Sequence, residues 1–134
     1  MDDQRTKRHR LRIARPVRDL KRSVRFYEDI LDLVHLGGFE DHEGYSGQMV
    51  GATGADWHIE FTRHVSGKPA PSPTPEDLLV LYYARDKMPT MVERLKRLNI
   101  KVIKHENPYW EEVGATVIID PDGYLVVLCP ERQE

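Results

Sequence analysis

Sliding the 134-residue chain against itself by 67 residues, without gaps, brings similar residues together in both halves. Leu11 meets Leu78, Ile13 meets Val80, Arg18-Asp19 meets Arg85-Asp86, and Ser23 meets Thr90. Further along, Leu31 meets Leu98, Gly47 meets Gly114, Val50 meets Val117, Ile59 meets Val126, and Phe61 meets Leu128. Strand-like stretches fall on strand-like stretches and one helical pattern falls on the other. The chain therefore reads as two copies of one supersecondary unit, and both copies have to be built to the same plan.

That plan is legible by period. In the first half Leu11 and Ile13 alternate with Arg10, Arg12 and Ala14, a strand with one apolar face. Asp19 is placed to cap a helix in which Leu20, Val24, Tyr27, Leu31 and Val34 recur at steps of four and three, with Phe26, Ile30 and Leu33 widening the stripe. Gly44, Gly47, Gly51 and Gly54 have the spacing of tight antiparallel turns. Trp57, Ile59 and Phe61 then alternate with His58, Glu60 and Thr62, as in a half-buried strand. The second half repeats the order: "LLVLYYA" from Leu78 to Ala84, Asp86 as the cap of a helix carrying Met88, Met91, Val92, Leu95 and Leu98, then "KVIKHE", "ATVIID" and "YLVVLC".

Between the halves, "VSGKPAPSPTPE" (Val65 to Glu76) holds four prolines, which block helix and central strand alike. The expected organisation is a disordered basic arm over residues 1–10, a βαβββ module over 11–64, the proline-rich linker over 65–76, a second βαβββ module over 77–130 and a tail over 131–134. Such a chain is α+β, each module a curled mixed sheet with its helix on the outer face. Two sheets of this kind side by side are expected to surround a concave groove.

Charge and cysteine content narrow the function. Twenty Lys and Arg against 22 Asp and Glu leave a net charge of −2, with no overall field that would recruit nucleic acid or an acidic membrane, so neither is an expected partner. No apolar run approaches the ~18 residues of a membrane-spanning helix, and the start lacks the apolar core of a signal peptide, so a cytoplasmic location is expected. Cys129 is the single cysteine, which excludes an intrachain disulfide and a Cys-based zinc site and reads as a small buried hydrophobe. Asp120-Pro121-Asp122-Gly123 reads as a sharp turn, Pro presetting φ and Gly accepting a positive φ. Tyr124 and Leu125, where a calcium loop starting at Asp120 needs an oxygen ligand and a glycine, exclude an EF-hand.

"VRDLKRSVRFYEDILDL" and "DPDGYLVVL" resemble the opening helix and closing hairpin of the vicinal oxygen chelate superfamily, which includes glyoxalase I, extradiol dioxygenases and the bleomycin and fosfomycin resistance proteins. The resemblance covers about residues 11 to 130 and implies paired βαβββ modules. In the superfamily's metal-dependent members, four His or Glu ligands stand on the first and last strands of the two modules. Carried over, these positions fall on Arg12, Glu60, Leu79 and Val127, and Glu60 alone is a ligand. No metal and no cofactor are therefore expected, with Arg12 pairing to Glu60 in place of a metal-borne charge.

If Arg12 and Glu60 face the groove, strand parity turns His58, Thr62, Leu79, Leu81, Tyr83, Leu125, Val127 and Cys129 the same way. Leu11, Ile13, Ile59, Phe61, Val126 and Leu128 then face the helices. Tyr109-Trp110, in the loop after the sixth strand, either close over the groove or pack at the module rim. The expected ligand-binding residues are Arg12, His58, Glu60, Tyr83, Tyr109 and Trp110.

The expected function is metal-independent binding or sequestration of a small organic molecule, of the glyoxalase/bleomycin resistance type, by a homodimer. Two alternatives stand beside it. One is a small lyase or isomerase with Glu60 as base and Arg12 as oxyanion partner, although a paired arginine makes a carboxylate a weaker base. The other is a metal-dependent enzyme of the superfamily with displaced ligands, from His58 and Glu60 with His35 or His105. His9, His42 and His64 read as surface residues.

Overall fold

The computed structural model describes residues 9–132; residues 1–8 of the expected basic arm and residues 133–134 of the expected tail lie outside the described residues. The chain divides into two compact units, with the boundary between Pro71 and Ser72 inside the proline-rich stretch.

The first unit runs β1 (Leu11–Pro16), α1 (Leu20–Asp29), β2 (Val34–His42), β3 (Tyr45–Gly51) and β4 (Trp57–His64). Its sheet has the order β1-β4-β3-β2, with β1 parallel to β4 and the other neighbours antiparallel. Helix α1 starts where Asp19, in an extended conformation, accepts a hydrogen bond from the Arg22 backbone N–H at 3.1 Å, satisfying one of the unpaired donors of the first turn. Its end comes earlier than the apolar period implies. Asp32 turns the chain through a left-handed conformation (φ 65°), and Val34 opens β2 at 38% exposure instead of closing the helical stripe.

Tyr27 and Leu31 meet Val50, Ile59 and Phe61 in a fully buried core, the Tyr27 and Phe61 rings lying 4.9 Å apart. Leu11 and Ile13 register with Trp57 and Ile59 on this same face yet remain 56% and 42% exposed. The reason is lateral: α1 packs over β2, β3 and β4 and leaves the edge strand β1 uncovered. Of the four glycines expected at turns, Gly44 and Gly54 are there with φ of 88° and 78°, but Gly47 and Gly51 lie inside β3.

The second unit runs β5 (Leu78–Tyr83), a 3-10 turn (Arg85–Lys87), α2 (Met88–Arg97), β6 (Val102–Ile103), α3 (Tyr109–Glu112), β7 (Thr116–Ile119) and β8 (Leu125–Pro130). The sheet order β5-β8-β7-β6 repeats that of the first unit. Asp86 does not cap α2. It is spent in the 3-10 turn, and α2 opens at Met88 with a proline in its first turn and no side-chain cap. The expected strand "KVIKHE" pairs over Val102–Ile103 only, and the expected loop after it contains α3. No helix among the described residues is long and apolar enough to cross a membrane.

The two units differ in one register. A shift of 67 residues carries Leu11 to Leu78 and its β4 partner Trp57 to Tyr124, but the observed partner of Leu78 is Leu125. A one-residue slip turns every side chain of a strand to the other face. Leu78, Val80 and Tyr82 therefore stand beside Leu125, Val127 and Cys129, whereas Leu79, Leu81 and Tyr83 stand beside Val126, Leu128 and Pro130 on the α2 side. The expectation that Leu79, Leu81 and Tyr83 share a face with Val127 is corrected accordingly.

Candidate functional site

In the first unit Arg12 registers with His58 and Ala14 with Glu60, so Arg12, His58 and Glu60 share the face turned away from α1. Arg12 Nε donates to His58 Nε2 at 2.9 Å, and Arg12 Nη1 lies 3.7 Å from Glu60 Oε1. Because His58 Nε2 accepts, the ring hydrogen sits on Nδ1. The two charges are unequally wet: the Arg12 side chain is 53% exposed and that of Glu60 only 11%. One guanidinium thus spans an imidazole and a sheltered carboxylate, its planar fork holding all three in a row.

Glycine makes the room for that carboxylate. Gly47 registers with Phe39 on one side and Thr62 on the other, and Gly51 registers with His58, which puts both glycines on the Glu60 face. A Cβ on Gly47 would lie 2.6 Å from the Phe39 ring and 3.2 Å from Glu60 Oε2; one on Gly51 would lie 2.9 Å from Leu36 Cδ1. Phe39, Leu36 and the two glycines are site residues that the sequence reading did not single out. The signal was there: two glycines four apart in one strand open one face of it.

The matching face of the second unit is closed. Leu125, Val127, Cys129 and Val117 form a buried cluster against which Leu78, Val80, Trp110 and Val113 pack. The expected apolar groove lining from β8 is therefore core, roofed by α3, and Trp110 is part of the roof packing. Its Nε1 is buried with no hydrogen-bond partner among the described residues. Tyr109 is 42% exposed, with its ring set edge-on to Trp110 at 5.0 Å. Burial pushes the Cys129 thiol up, the nearby Arg85 opposing it, so at neutral pH the group is a thiol and not a nucleophilic thiolate.

These residues do not fit a divalent metal. Of the positions implied by the superfamily, Arg12 is a cation and Val127 a core hydrocarbon, and the register exchanges Leu79 for Leu78 or Val80, which are equally unable to ligate. The displaced ligand set is not brought together either. His58 Nε2 is held by Arg12. His35 registers with Val50, on the opposite face from Glu60, and its ring meets Gln48 Oε1. His105 belongs to the second unit, where Nε2 donates to the Pro75 carbonyl at 2.7 Å and Nδ1 accepts from the Asn107 backbone N–H at 3.0 Å. Among the described residues no group of three or more His, Cys, Asp or Glu side chains is placed to hold an ion.

Comparison with known proteins follows this two-unit division. Residues 11–62 match the YycE-like N-terminal domain and residues 76–130 the YycE-like C-terminal domain. The chain belongs to the YycE-like family. YycE of Bacillus subtilis (strain 168) is 42% identical over 123 residues, which cover 91% of this chain and 88% of the relative. The crystal structure of the Bacillus subtilis YycE protein superposes with a TM-score of 0.80 at 38% identity, covering 93% of this chain and 91% of that one.

Beyond YycE, the fold is shared with glyoxalase I of Leishmania major (TM-score 0.73, 19% identity, 93% of this chain and 88% of that one). It is also shared with TnmS3, an antibiotic binding protein from Streptomyces sp. CB03234 (TM-score 0.70, 21% identity, 95% and 98%). The YycE-like chain accordingly has the α+β, two-module fold that these proteins share.

The pairing of Arg12 with Glu60 has a measurable signature. Breaking a fully buried ion pair costs about 3–5 kcal/mol, but here water reaches Arg12, so Arg12→Met is expected to cost only about 1 kcal/mol. In a urea double-mutant cycle with Glu60→Gln, the double variant should be less damaged than the sum of the singles by roughly 0.5–1 kcal/mol. Strict additivity would show that the two groups do not interact.

Proposed function

We propose that this YycE-like protein is a metal-independent binder of a small organic molecule, acting in the cytoplasm as a homodimer, with Arg12, His58 and Glu60 as the polar part of its site. The observation that carries this reading is the Arg12 guanidinium beside Glu60, 3.7 Å from Oε1, where a cation would otherwise be needed. A divalent ion requires several His, Cys or carboxylate ligands and is repelled by a fixed positive charge, so the pair favours an organic ligand with a polar or anionic end held by the exposed side of Arg12. Phe39 and Leu36, whose side chains pack directly on Gly47 and Gly51, supply the apolar surface that such a ligand also needs.

The name of TnmS3 as an antibiotic binding protein on the same fold is in keeping with this role. A second copy is supported by Leu11 and Ile13, exposed on the edge strand β1 where a partner chain would cover them.

The test is elemental analysis together with native mass spectrometry on gently purified protein. Less than about a tenth of an equivalent of zinc, nickel, iron or manganese is expected, because one carboxylate does not hold an ion. A retained organic mass should survive chelator treatment and be lost in Arg12→Met. Near one equivalent of metal that disappears with Glu60→Ala would overturn the proposal. Light scattering at tens of micromolar should read two chains; a monomer would remove the dimer from it.

A further inference from the structure

A cavity of about 520 Å³ in the second unit is lined by Tyr82, Arg85, Tyr109, Glu112, Val113, Cys129, Pro130 and Arg132. All of these residues belong to the second unit, and its register puts Tyr82, not Tyr83, on the Cys129 side. Tyr82 is turned to the Cys129 side and stands 62% exposed at the end of β5. Tyr109 faces the same space from α3, whose first turn is fixed by Asn107 Oδ1 accepting the Tyr109 backbone N–H at 3.0 Å, while its ring is braced on Trp110. The floor is rigid: Cys129 and Pro130 are buried, and the Glu131 N–H bonds the Tyr83 carbonyl at 2.8 Å, carrying the β5–β8 pairing past the last strand residue.

Arg85 and Arg132 line the cavity against one acidic residue, Glu112, and neither arginine forms an ion pair with Glu112 or with any other described residue. Unpaired guanidinium forks beside exposed phenol rings are the donor set for a planar anion: the forks take a carboxylate through two parallel N–H bonds, and the tyrosine faces take a flat ring. The volume suits a one- or two-ring compound. We propose that this cavity is a binding site for aromatic carboxylates, with Arg85 and Arg132 on the anion and Tyr82 and Tyr109 on the ring. The site does not depend on the reading of Glu60, and its chemistry demands no metal and no covalent step.

The experiment uses the full chain and two isosteric probes, 2-naphthoate and the neutral 2-naphthamide, with calorimetry for affinity and amide chemical shifts for location. The naphthoate should bind at least ~tenfold more tightly than the amide, a difference of about 1.4 kcal/mol. Shifts should centre on Tyr82, Tyr109 and Val113. Arg85→Met or Tyr82→Ala, both at exposed positions that leave the core intact, should each weaken naphthoate binding at least ~fivefold, while Glu112→Gln, which removes the opposing charge, should strengthen it. Amide shifts at β1 and β4 should stay in place, which separates this site from the one in the first unit. Equal affinity for acid and amide, shifts centred on β1 and β4, or affinity unchanged in Arg85→Met would each overturn the proposal.

Discussion

Tyr27→Ala should lower the stability of the chain by about 3–5 kcal/mol, a large part of the roughly 5–15 kcal/mol that holds a domain of ordinary size folded. Tyr27 is the largest fully buried side chain of α1, with its ring against Phe61 at 4.9 Å and near Phe26 at 5.5 Å. Truncation removes that contact and opens a cavity between α1 and the strands that carry the candidate site, which the helix cannot close because Leu31 and Ile59 already fill the space beside it. The phenol has a second job: its oxygen accepts a hydrogen bond from Arg15 Nη2 at 2.8 Å, tying α1 to the edge strand β1 that it does not otherwise cover.

Tyr27→Phe separates the two contributions. It keeps the ring and is expected to cost only about 1–2 kcal/mol, the ordinary consequence of losing one hydrogen bond to a charged, partly buried donor. Guanidinium denaturation followed through Trp57 emission measures both variants. A Tyr27→Ala loss no larger than that of Tyr27→Phe would mean that the ring is not packed as described.

Much of this architecture is legible in the amino-acid sequence alone. The repeat gave the paired modules, and Asp19 gave the start of α1, because a cap is a local matter between three or four residues. Parity also placed Arg12, His58 and Glu60 on one face correctly, since the first unit keeps strict alternation along β1 and β4.

What parity missed has a common cause, in that it depends on how strands are aligned across the sheet and not on any one strand. The second unit aligns β5 and β8 one residue differently, so Tyr82 replaces Tyr83, and nothing within "LLVLYY" distinguishes the two, because that strand is apolar on both faces. Helix α3 was unreadable for a related reason. A four-residue helix has no period to display, and Trp110 beside Pro108 looks like a loop until the core it roofs is known. The burial of Leu125 and Val127 under that roof then followed, along with the loss of the expected apolar half of the groove.

The turn that closes the second sheet carries the other large effect. Asp120→Ala is expected to cost about 3 kcal/mol, although no apolar contact is lost. Asp120 Oδ1 accepts the backbone N–H of Asp122 at 2.8 Å and that of Tyr124 at 2.9 Å, in a pocket where Asp120 is 5% and Asp122 7% exposed. Both N–H groups lose this acceptor in the alanine variant, at roughly 1–3 kcal/mol each before water relieves part of the cost. The backbone of the turn is set by the same residue: its N–H donates to the Tyr124 carbonyl at 2.8 Å and its carbonyl accepts from Gly123, whose φ of 94° only glycine adopts without strain.

The side chain therefore fixes where β8 begins, and through that the alignment of Cys129 and Pro130 beside Tyr82 at the far end of the strand. Asp120→Asn keeps an oxygen at the same place and should recover all but about 1 kcal/mol of the loss, which distinguishes a hydrogen-bonding role from one that needs the negative charge. Thermal denaturation of the three proteins, with amide exchange at Asp122 and Tyr124, reads the outcome. If the asparagine variant is as unstable as the alanine variant, the turn is held by charge and not by its two accepted hydrogen bonds.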